Sequence, residues 1–315
     1  MIEIRGLTKR YGPTTAVDDL SFRVEPGRVT GFLGPNGSGK STTMRVALGL
    51  DRATAGEALL DGTPYRDLRY PLRTVGALLD ARWVHPNRSA RAHLRWIAAS
   101  NALPAGRVDT VLEQVGLTAV ADRRAGAFSL GMSQRLGIAA ALLGDPGTLL
   151  FDEPVNGLDP EGVRWIRRLV QGLAAEGRTV LVSSHLLSEM AVAASHLVVI
   201  GRGRLIAEST TAEFIDSAAD DTVLVRTPQP VLLAEALRRA GASIVPVDGD
   251  DLGLSVTGAT PEKIGEVAAA RGLVLHGLTP QHASLENAFL RLTGHDVEYV
   301  SGGPDQAAAV PAAGR

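Results

Sequence analysis

The stretch Gly34-Pro35-Asn36-Gly37-Ser38-Gly39-Lys40-Ser41 decides the fold. It fits the pattern G-x-x-x-x-G-K-[ST], and it stands between an apolar run, Val29–Leu33, and a helix predicted over Ser41–Leu50. Glycines let consecutive backbone N–H groups turn toward one anion, and a helix start adds partial positive charge. In such a loop the lysine reaches the β- and γ-phosphates, and Ser41, next to Thr42, offers a hydroxyl to Mg²⁺. The stretch therefore predicts a strand, a loop and a helix that bind the phosphates of a nucleotide.

Further apolar runs have the length of buried strands. They are Ile2–Ile4, Ser21–Val24, Thr148–Phe151, Thr179–Ser183 and Leu197–Ile200. Apolar residues recur at helical spacing from Val163 to Leu173, and Gly177 just beyond is typical of a helix end. Strands that alternate with helices in this way predict an α/β fold with a largely parallel sheet over residues 1 to about 215.

Two adjacent carboxylates, Asp152 and Glu153, follow the strand predicted over Thr148–Phe151. A carboxylate at such a strand end can hold Mg²⁺ beside bound phosphates, as a Walker B aspartate does, and its neighbour can polarise the attacking water. An Asp-Glu-Pro sequence is also common where a chain enters a loop. Because the glycine-rich loop is present in the same chain, we assign Asp152 to the metal and Glu153 to catalysis.

Four more segments carry a resemblance to a known family. Phe128–Arg135 resembles the signature loop of ATP-binding-cassette (ABC) ATPases, and Pro154–Pro160 resembles the D-loop that follows their Walker B motif. His185 looks like their switch histidine, and Tyr11 stands where they stack an aromatic ring on adenine. The motifs follow the order of the family over residues 1 to about 215.

This resemblance implies an ABC-type nucleotide-binding domain with a helical subdomain over about 82–143, and ATP and Mg²⁺ as its cofactors. In the family, two such domains pair head to tail, and each ATP lies between the phosphate loop of one chain and the signature of the other. Lys40, Glu153 and His185 then take catalytic roles, and Tyr11, Ser129, Gly131 and Asp159 join the nucleotide-binding set. Taken alone, Ser129 fits a helix N-cap, His185 a satisfied histidine at a strand end, and Tyr11 a packing residue.

The chain departs from the family pattern at two places. The family usually carries a glutamine after the strand predicted over Thr74–Leu79, where this chain has Asp80, and its usual signature has Gly and Gln where this chain has Leu130 and Met132. Asp80 can still bind metal or nucleotide, but a carboxylate cannot donate as an amide does. These variants, and the ending Ser284–Gly294, are similar to the ATPase subunits of daunorubicin- and bacitracin-resistance exporters.

Residues beyond about 215 have an order of their own. A polar linker is predicted over 216–221, a C-terminal accessory domain over 222–294 and a disordered tail over 295–315. Within the accessory domain the predicted strands are Thr222–Arg226, Ser243–Val247, Asp251–Val256 and Leu273–Leu278. The predicted helices are Pro230–Ala240 and Pro261–Arg271, with a further helix near Leu285–Leu292. The order β-α-β-β-α-β predicts a small ferredoxin-like α+β unit.

Composition narrows the function. The formal charge is −2, there is no cysteine, and 45% of the 315 residues are hydrophobic. This balance argues against a basic nucleic-acid surface, and the absence of cysteine excludes thiolate metal sites. No run is long and apolar enough to span a bilayer, so we expect a separate transmembrane permease and a peripheral position on the cytoplasmic face of the cell membrane.

The resemblance thus predicts the ATPase subunit of a drug or antibiotic exporter that acts as a homodimer. The alternative is a soluble ABC-type ATPase that acts on a macromolecule such as the ribosome or DNA. A GTPase is disfavoured, because Asn156-Gly157-Leu158-Asp159 lacks the lysine of the Asn-Lys-x-Asp element that guanine-specific proteins need.

Overall fold

The computed structural model describes residues 1–81, 83–217, 222–247 and 249–281, together with 285, 286 and 289. Its strands are β1 (Ile2–Tyr11), β2 (Thr14–Val24), β3 (Val29–Leu33), β4 (Ala55–Leu60), β5 (Val75–Leu78), β6 (Thr148–Phe151), β7 (Thr179–Ser184), β8 (His196–Gly201), β9 (Arg204–Thr210), β10 (Thr222–Arg226), β11 (Ser243–Pro246), β12 (Gly253–Thr257) and β13 (Gly277–Gln281). Its helices are α1 (Lys40–Ala47), α2 (Pro71–Thr74), α3 (Ala90–Ser100), α4 (Arg107–Gln114), α5 (Leu130–Leu142), α6 (Pro160–Ala175), α7 (Leu187–Ala193), α8 (Thr211–Ser217), α9 (Pro230–Arg239) and α10 (Pro261–Ala269). Within this part of the chain, no helix is both long enough and apolar enough to cross a lipid bilayer.

The central sheet confirms the α/β prediction. Its strands lie in the order β5-β6-β7-β3-β8-β9, and all neighbours pair in parallel except β9, which turns back against β8. The buried run Val29–Leu33 forms β3, with every residue buried. Because parallel strands point the same way, the loops that follow β5, β6, β7 and β3 leave the sheet at one edge.

A second, antiparallel sheet has the order β2-β1-β4. The sequence predicted only Ile2–Ile4 and Ser21–Val24 as strands here, but β1 and β2 extend over ten and eleven residues. The portions that the sequence missed mix buried, half-buried and exposed positions without strict alternation and contain register shifts, so charged residues such as Lys9 and Arg10 hide the strand signal. An antiparallel sheet with one face in water has this mixed pattern.

Helices α3, α4 and α5 pack on one another beside the central sheet. Their buried side chains, such as Leu94, Leu112 and Leu136, belong to one core that extends under the sheet to Phe151 and Val182. Helix α5 contacts β5 directly. This arrangement fixes α5, whose N-cap is Ser129, against the central sheet.

The third sheet has the order β11-β12-β10-β13 and is antiparallel throughout. With α9 and α10 packed on it over a separate core, this is the predicted ferredoxin-like arrangement. The last strand is the exception, because it occupies Gly277–Gln281 and not Leu273–Leu278. Side chains satisfy the earlier backbone instead, since Thr227 Oγ1 donates to the Val274 carbonyl (2.7 Å) and the Val274 N–H donates to Gln229 Oε1 (3.2 Å).

Two boundary predictions change. Helix α8 includes Asp216 and Ser217, which the sequence placed in the linker. Leu285 is buried, and it belongs with Phe214 to the core under the central sheet, against which Phe289 also packs. The rest of the helix predicted near Leu285–Leu292, residues 218–221 of the linker and the tail 295–315 lie outside the described residues. The division into domains at these positions stays a prediction.

Candidate nucleotide-binding site

The loop after β3 packs so tightly against neighbouring backbone that two of its glycines have no room for a Cβ atom. A Cβ on Gly34 would lie 2.4 Å from both the Ile200 carbonyl oxygen and Ser38 Oγ, and one on Gly39 would lie 2.5 Å from the Ala16 carbonyl oxygen. Gly39 also has φ of 102°, in the left-handed region that favours glycine. Helix α1 begins directly after it at Lys40, and the Thr43 N–H donates to the Gly39 carbonyl at 2.9 Å. The first N–H groups of α1 therefore lie directly beside the glycine-rich loop, with no residue between the loop and the helix.

Lys40 is buried in this loop, with 6% of its surface exposed. Its ammonium donates to the carbonyl oxygens of Gly34 (2.6 Å) and Pro35 (3.1 Å), so two of its three N–H bonds are used. Burial lowers the pKa of Lys40, and the carboxylates of Glu153 and Asp152 raise it in part. Carbonyls hold the ammonium without neutralising it, and an anion that enters the loop meets a charge that is already desolvated.

An open cavity of about 260 Å³ lies against the loop. Its lining comprises Ala16, Asn36, Gly37, Ser38, Gly39, Lys40, Ser41, Thr42 and Glu153. Among the described residues, the buried Ser38 hydroxyl oxygen has no hydrogen-bond partner. An orphaned hydroxyl beside a buried lysine and a helix start is a set of donors that fits phosphate oxygens.

The predicted carboxylates stand at the same sheet edge. Asp152 follows β6, and its N–H donates to the Leu78 carbonyl of β5 at 2.8 Å. Glu153 reaches the cavity and has φ of 48°, which is uncommon for a residue other than glycine. Ser183, on the neighbouring strand β7, donates its hydroxyl to Asp152 Oδ1 and accepts from the Glu153 N–H at 2.9 Å.

The structure brings His185 to Glu153. Its Nδ1 lies 2.8 Å from Glu153 Oε2, and its backbone N–H donates to the same oxygen at 3.4 Å. Both residues follow adjacent parallel strands, β6 and β7, which is why residues 32 apart in the chain meet. The pair can orient one carboxylate oxygen toward the cavity while the histidine remains exposed to a further ligand.

Tyr11, at the end of β1, is 45% exposed. Its hydroxyl donates to Asp51 Oδ2 at 2.8 Å, and the Lys9 ammonium lies 4.6 Å from the ring centroid. Burial and then Asp51 raise the pKa of Tyr11, while the hydroxyl of Thr42 lowers it in part, so the tyrosine stands close to the start of α1. Tyr11 does not line the cavity described above, and its adenine contact stays a prediction.

Ser129 and Asp159 each cap a helix. The Ser129 side chain accepts from the Met132 N–H (3.2 Å) at the start of α5, and Asp159 accepts from the Gly162 N–H (2.8 Å) at the start of α6. A Cβ on Gly131 would meet Leu158 at 3.3 Å, so the signature and the D-loop are in contact. Neither Ser129, Gly131 nor Asp159 lines the cavity of its own chain, and their contact with a nucleotide stays a prediction.

Asp80 is exposed and follows β5 at the same edge as Asp152. Across the described residues, no group of three or more histidine and acidic side chains could hold a metal without other ligands. Mg²⁺ is usually bound by one or two carboxylates together with substrate phosphates, and the assignment of Ser41, Asp152 and Asp80 to this ion stays a prediction.

Sequence reasoning missed two contributors to this site. Ser183 was assigned only to a buried strand, although a serine at the end of an apolar run, two residues before His185, is a usable signal. Asp51 holds the Tyr11 hydroxyl across forty residues, and no local pattern predicts that contact.

Comparisons with known proteins show which family the chain resembles. A family model described as ABC transporter matches residues 17–156, and a model described as a domain of unknown function matches residues 221–286. An uncharacterized ABC transporter ATP-binding protein of Bacillus subtilis, YhcH, is 34% identical over 304 residues, 95% of this chain and 98% of that protein.

Two further relatives carry transport names. The bacitracin transport ATP-binding protein BcrA of Bacillus licheniformis is 41% identical over 211 residues, 66% of this chain and 69% of its own. The Nod factor export ATP-binding protein I of Paraburkholderia xenovorans is 36% identical over 303 residues, 94% of this chain and 98% of its own. A solved ATP-binding subunit of an ABC transporter matches with a TM-score of 0.63 at 25% identity, over 69% of this chain and 92% of that one.

Proposed function

This chain belongs to the ABC transporter ATP-binding proteins and is an ABC-type ATPase, and from that premise we propose that it energises the export of an antibiotic-like compound through a separate membrane permease. The observation that carries the proposal is the meeting of Lys40, Asp152, Glu153 and His185 at one edge of the central sheet. That edge joins a phosphate cradle to a carboxylate held in place for proton transfer. Phosphoryl transfer to water needs both.

The roles divide by position. Backbone N–H groups of residues 36, 37 and 39 and the Lys40 ammonium bind the phosphates, and the orphaned Ser38 hydroxyl gains a partner there. Glu153 takes a proton from the attacking water as the bond to the γ-phosphorus forms and ADP leaves. His185 holds the Glu153 carboxylate and keeps it directed at that water.

The residues present fit Mg²⁺. Ser41 and Asp152 would hold it, with Asp80 as a further oxygen donor at the same edge. When bound, the ion neutralises charge on the β- and γ-phosphate oxygens. Its usual preference for oxygen ligands and retained water agrees with a site that offers few protein carboxylates.

A second copy of the chain completes the site in this proposal. Ser129, Gly131 and Asp159 lie at capped helix starts and do not line the phosphate-loop cavity of their own chain, and an anion at such a start is stabilised. Head-to-tail pairing places them over the ATP of the partner, while Tyr11 contacts the adenine. ATP binding then closes the dimer and hydrolysis opens it. The permease changes conformation together with the dimer.

The export of an antibiotic-like compound rests on relatives. The bacitracin transport protein carries an antibiotic in its name, and the Nod factor export protein matches nearly the whole chain, including the accessory unit. Both names describe transport, which favours a membrane partner over a ribosome or DNA.

Co-purification tests the proposal. The tagged chain is isolated from detergent-solubilised membranes of its own cells, with Lys40→Ala as a matched control for nucleotide-dependent contacts. We expect a multi-span membrane protein in fixed ratio, and an ATPase rate that rises when bacitracin is added to the complex. Recovery with ribosomes or DNA, and no membrane protein, would contradict it.

A further inference from the structure

Ser183 is a fully buried hydroxyl inside the proposed catalytic edge that no motif accounts for. It lies near the end of β7, and the parallel register pairs Phe151 of β6 with Val182. Ser183 therefore stands level with Asp152, the first residue beyond β6. The serine is thus placed by the sheet and not by a mobile loop.

Its hydroxyl makes two hydrogen bonds whose directions are fixed. The Glu153 N–H can only donate, so Ser183 Oγ accepts from it, at 2.9 Å. The single hydroxyl proton is then left for Asp152 Oδ1, which can only accept when ionised. One buried group thereby binds the side chain of the first acid and the backbone of the second.

Each bond fixes something the reaction needs. Asp152 has one oxygen held by Ser183, which sets the plane of the carboxylate and directs the other oxygen. Glu153 has φ of 48°, a conformation that costs free energy outside glycine and persists where neighbours hold it. From that backbone the Glu153 carboxylate meets His185, two residues beyond Ser183 on the same segment.

We propose that Ser183 is a positioning residue of the ATPase, which aligns Asp152 for the nucleotide-bound cation and Glu153 for the attacking water. The inference rests on the roles of Asp152 and Glu153 under the proposed function. Ser183 touches neither water nor phosphate in this account, and it acts through the two acids. Its removal should lower turnover more than it lowers ATP affinity.

The test uses the full chain with Ser183→Ala and Ser183→Cys, which keeps nearly the volume of serine but is a weak donor. Hydrogen bonds to charged groups are strong, so we expect kcat to fall about ten- to a hundredfold in both variants while KM for ATP stays within about twofold. Binding of Mn²⁺, used as a paramagnetic probe with a non-hydrolysable ATP analogue, should weaken in parallel.

A matched control removes a buried hydroxyl that makes no hydrogen bond to any described residue. Thr30 on the adjacent strand β3 is fully buried, and its hydroxyl has no partner among the described residues. Thr30→Val should keep kcat within about twofold of the unchanged chain. A similar loss of kcat in Thr30→Val would mean that the sheet responds to any such change, and it would overturn the inference.

The remaining outcomes separate the inference from the function it rests on. If Ser183→Ala or Ser183→Cys folds and keeps the wild-type kcat, or if both unfold, Ser183 is not a positioning residue. Glu153→Gln is measured beside them. Wild-type hydrolysis by Glu153→Gln would defeat the proposed function itself, whereas an inactive Glu153→Gln with active Ser183 variants would defeat only the inference.

Discussion

The absence of a Cβ atom at Gly34 lets the phosphate loop pack against β8. A Cβ there would stand 2.4 Å from a backbone oxygen of β8 and from Ser38 Oγ, and the backbone oxygen cannot move away without disturbing the sheet. We expect Gly34→Ala to lose ATP binding and about 1 to 3 kcal/mol of stability, the usual effect of overpacking. Denaturant unfolding and equilibrium ATP binding measure the two effects.

Gly147 supplies the control. A Cβ on Gly147, which precedes β6, would meet nothing within 4 Å. Gly147→Ala should therefore keep both properties. Equal losses in the two variants would show that the loop has no special closeness of packing.

Residues also show what sequence can and cannot predict. Lys40, Asp152 and Glu153 were found because phosphate and proton chemistry restricts the residue types and their spacing. Ser183 and Asp51 act through contacts between distant segments, and a serine or aspartate has many ordinary uses. The chemistry could therefore be predicted from the sequence. Asp51 could not, and Ser183 was marked only by its position two residues before His185.

At the scale of elements, α5 separates two uses of Ser129. Ser129→Ala removes the N-cap and should cost about 1 kcal/mol of stability. Ser129→Asp keeps a good cap, so the stability should hold, but its carboxylate repels a triphosphate. We expect ATPase activity to fall at least about tenfold in Ser129→Asp. Thermal unfolding and steady-state hydrolysis measure the two effects. Full ATPase activity in Ser129→Asp would contradict the assignment of Ser129 to the signature.

His93 makes α3 sensitive to pH. It is 7% exposed, and burial, followed by Arg88, lowers the pKa of His93 from its ordinary value of 6.5. Below that value the unfolded chain takes a proton that the folded chain refuses, so the free energy of unfolding falls as pH falls. Between pH 7.5 and 5.5, His93→Leu should lose less of its free energy of unfolding than the unchanged chain. Equal losses would show that His93 protonates in place.

Elements differ in how well sequence predicted them. The buried strands β3 and β6 were placed to the residue, because every position is apolar or small and faces packed neighbours. Strands β1 and β2 extend well beyond their predicted ends, because about a third of their residues are exposed and the polar side chains there interrupt the apolar pattern. Strand β13 was misplaced, since Thr227 and Gln229 satisfy the backbone of the earlier apolar segment.

On the scale of the whole molecule, sequence order predicted two sheets of different class but not how the chain returns from the second. Leu285 is buried in the core beneath the central sheet, and an apolar residue carries no mark of which core it will enter. Leu285, beyond the last strand of the accessory unit, is therefore buried in the core of the ATPase and not in that of the accessory unit.

Pairing of whole molecules predicts complementation between two defective chains. Ser129→Arg spoils the signature, Lys40→Ala spoils the phosphate loop, and each homodimer should be inactive. A mixture should recover up to about a quarter of the wild-type rate, because half of the randomly formed dimers hold one intact site. Absence of recovery, although mass measurements show that mixed dimers form, would contradict the shared site.

The variant Glu153→Gln tests whether Glu153 accepts the proton of the attacking water. It removes the proton acceptor and leaves the phosphate cradle of Lys40 intact. Single-turnover hydrolysis, ATP affinity and the mass of the particle in ATP are measured on the same sample. We predict wild-type affinity, hydrolysis slowed by at least about a hundredfold and a stable dimer. Hydrolysis at the wild-type rate would contradict the account.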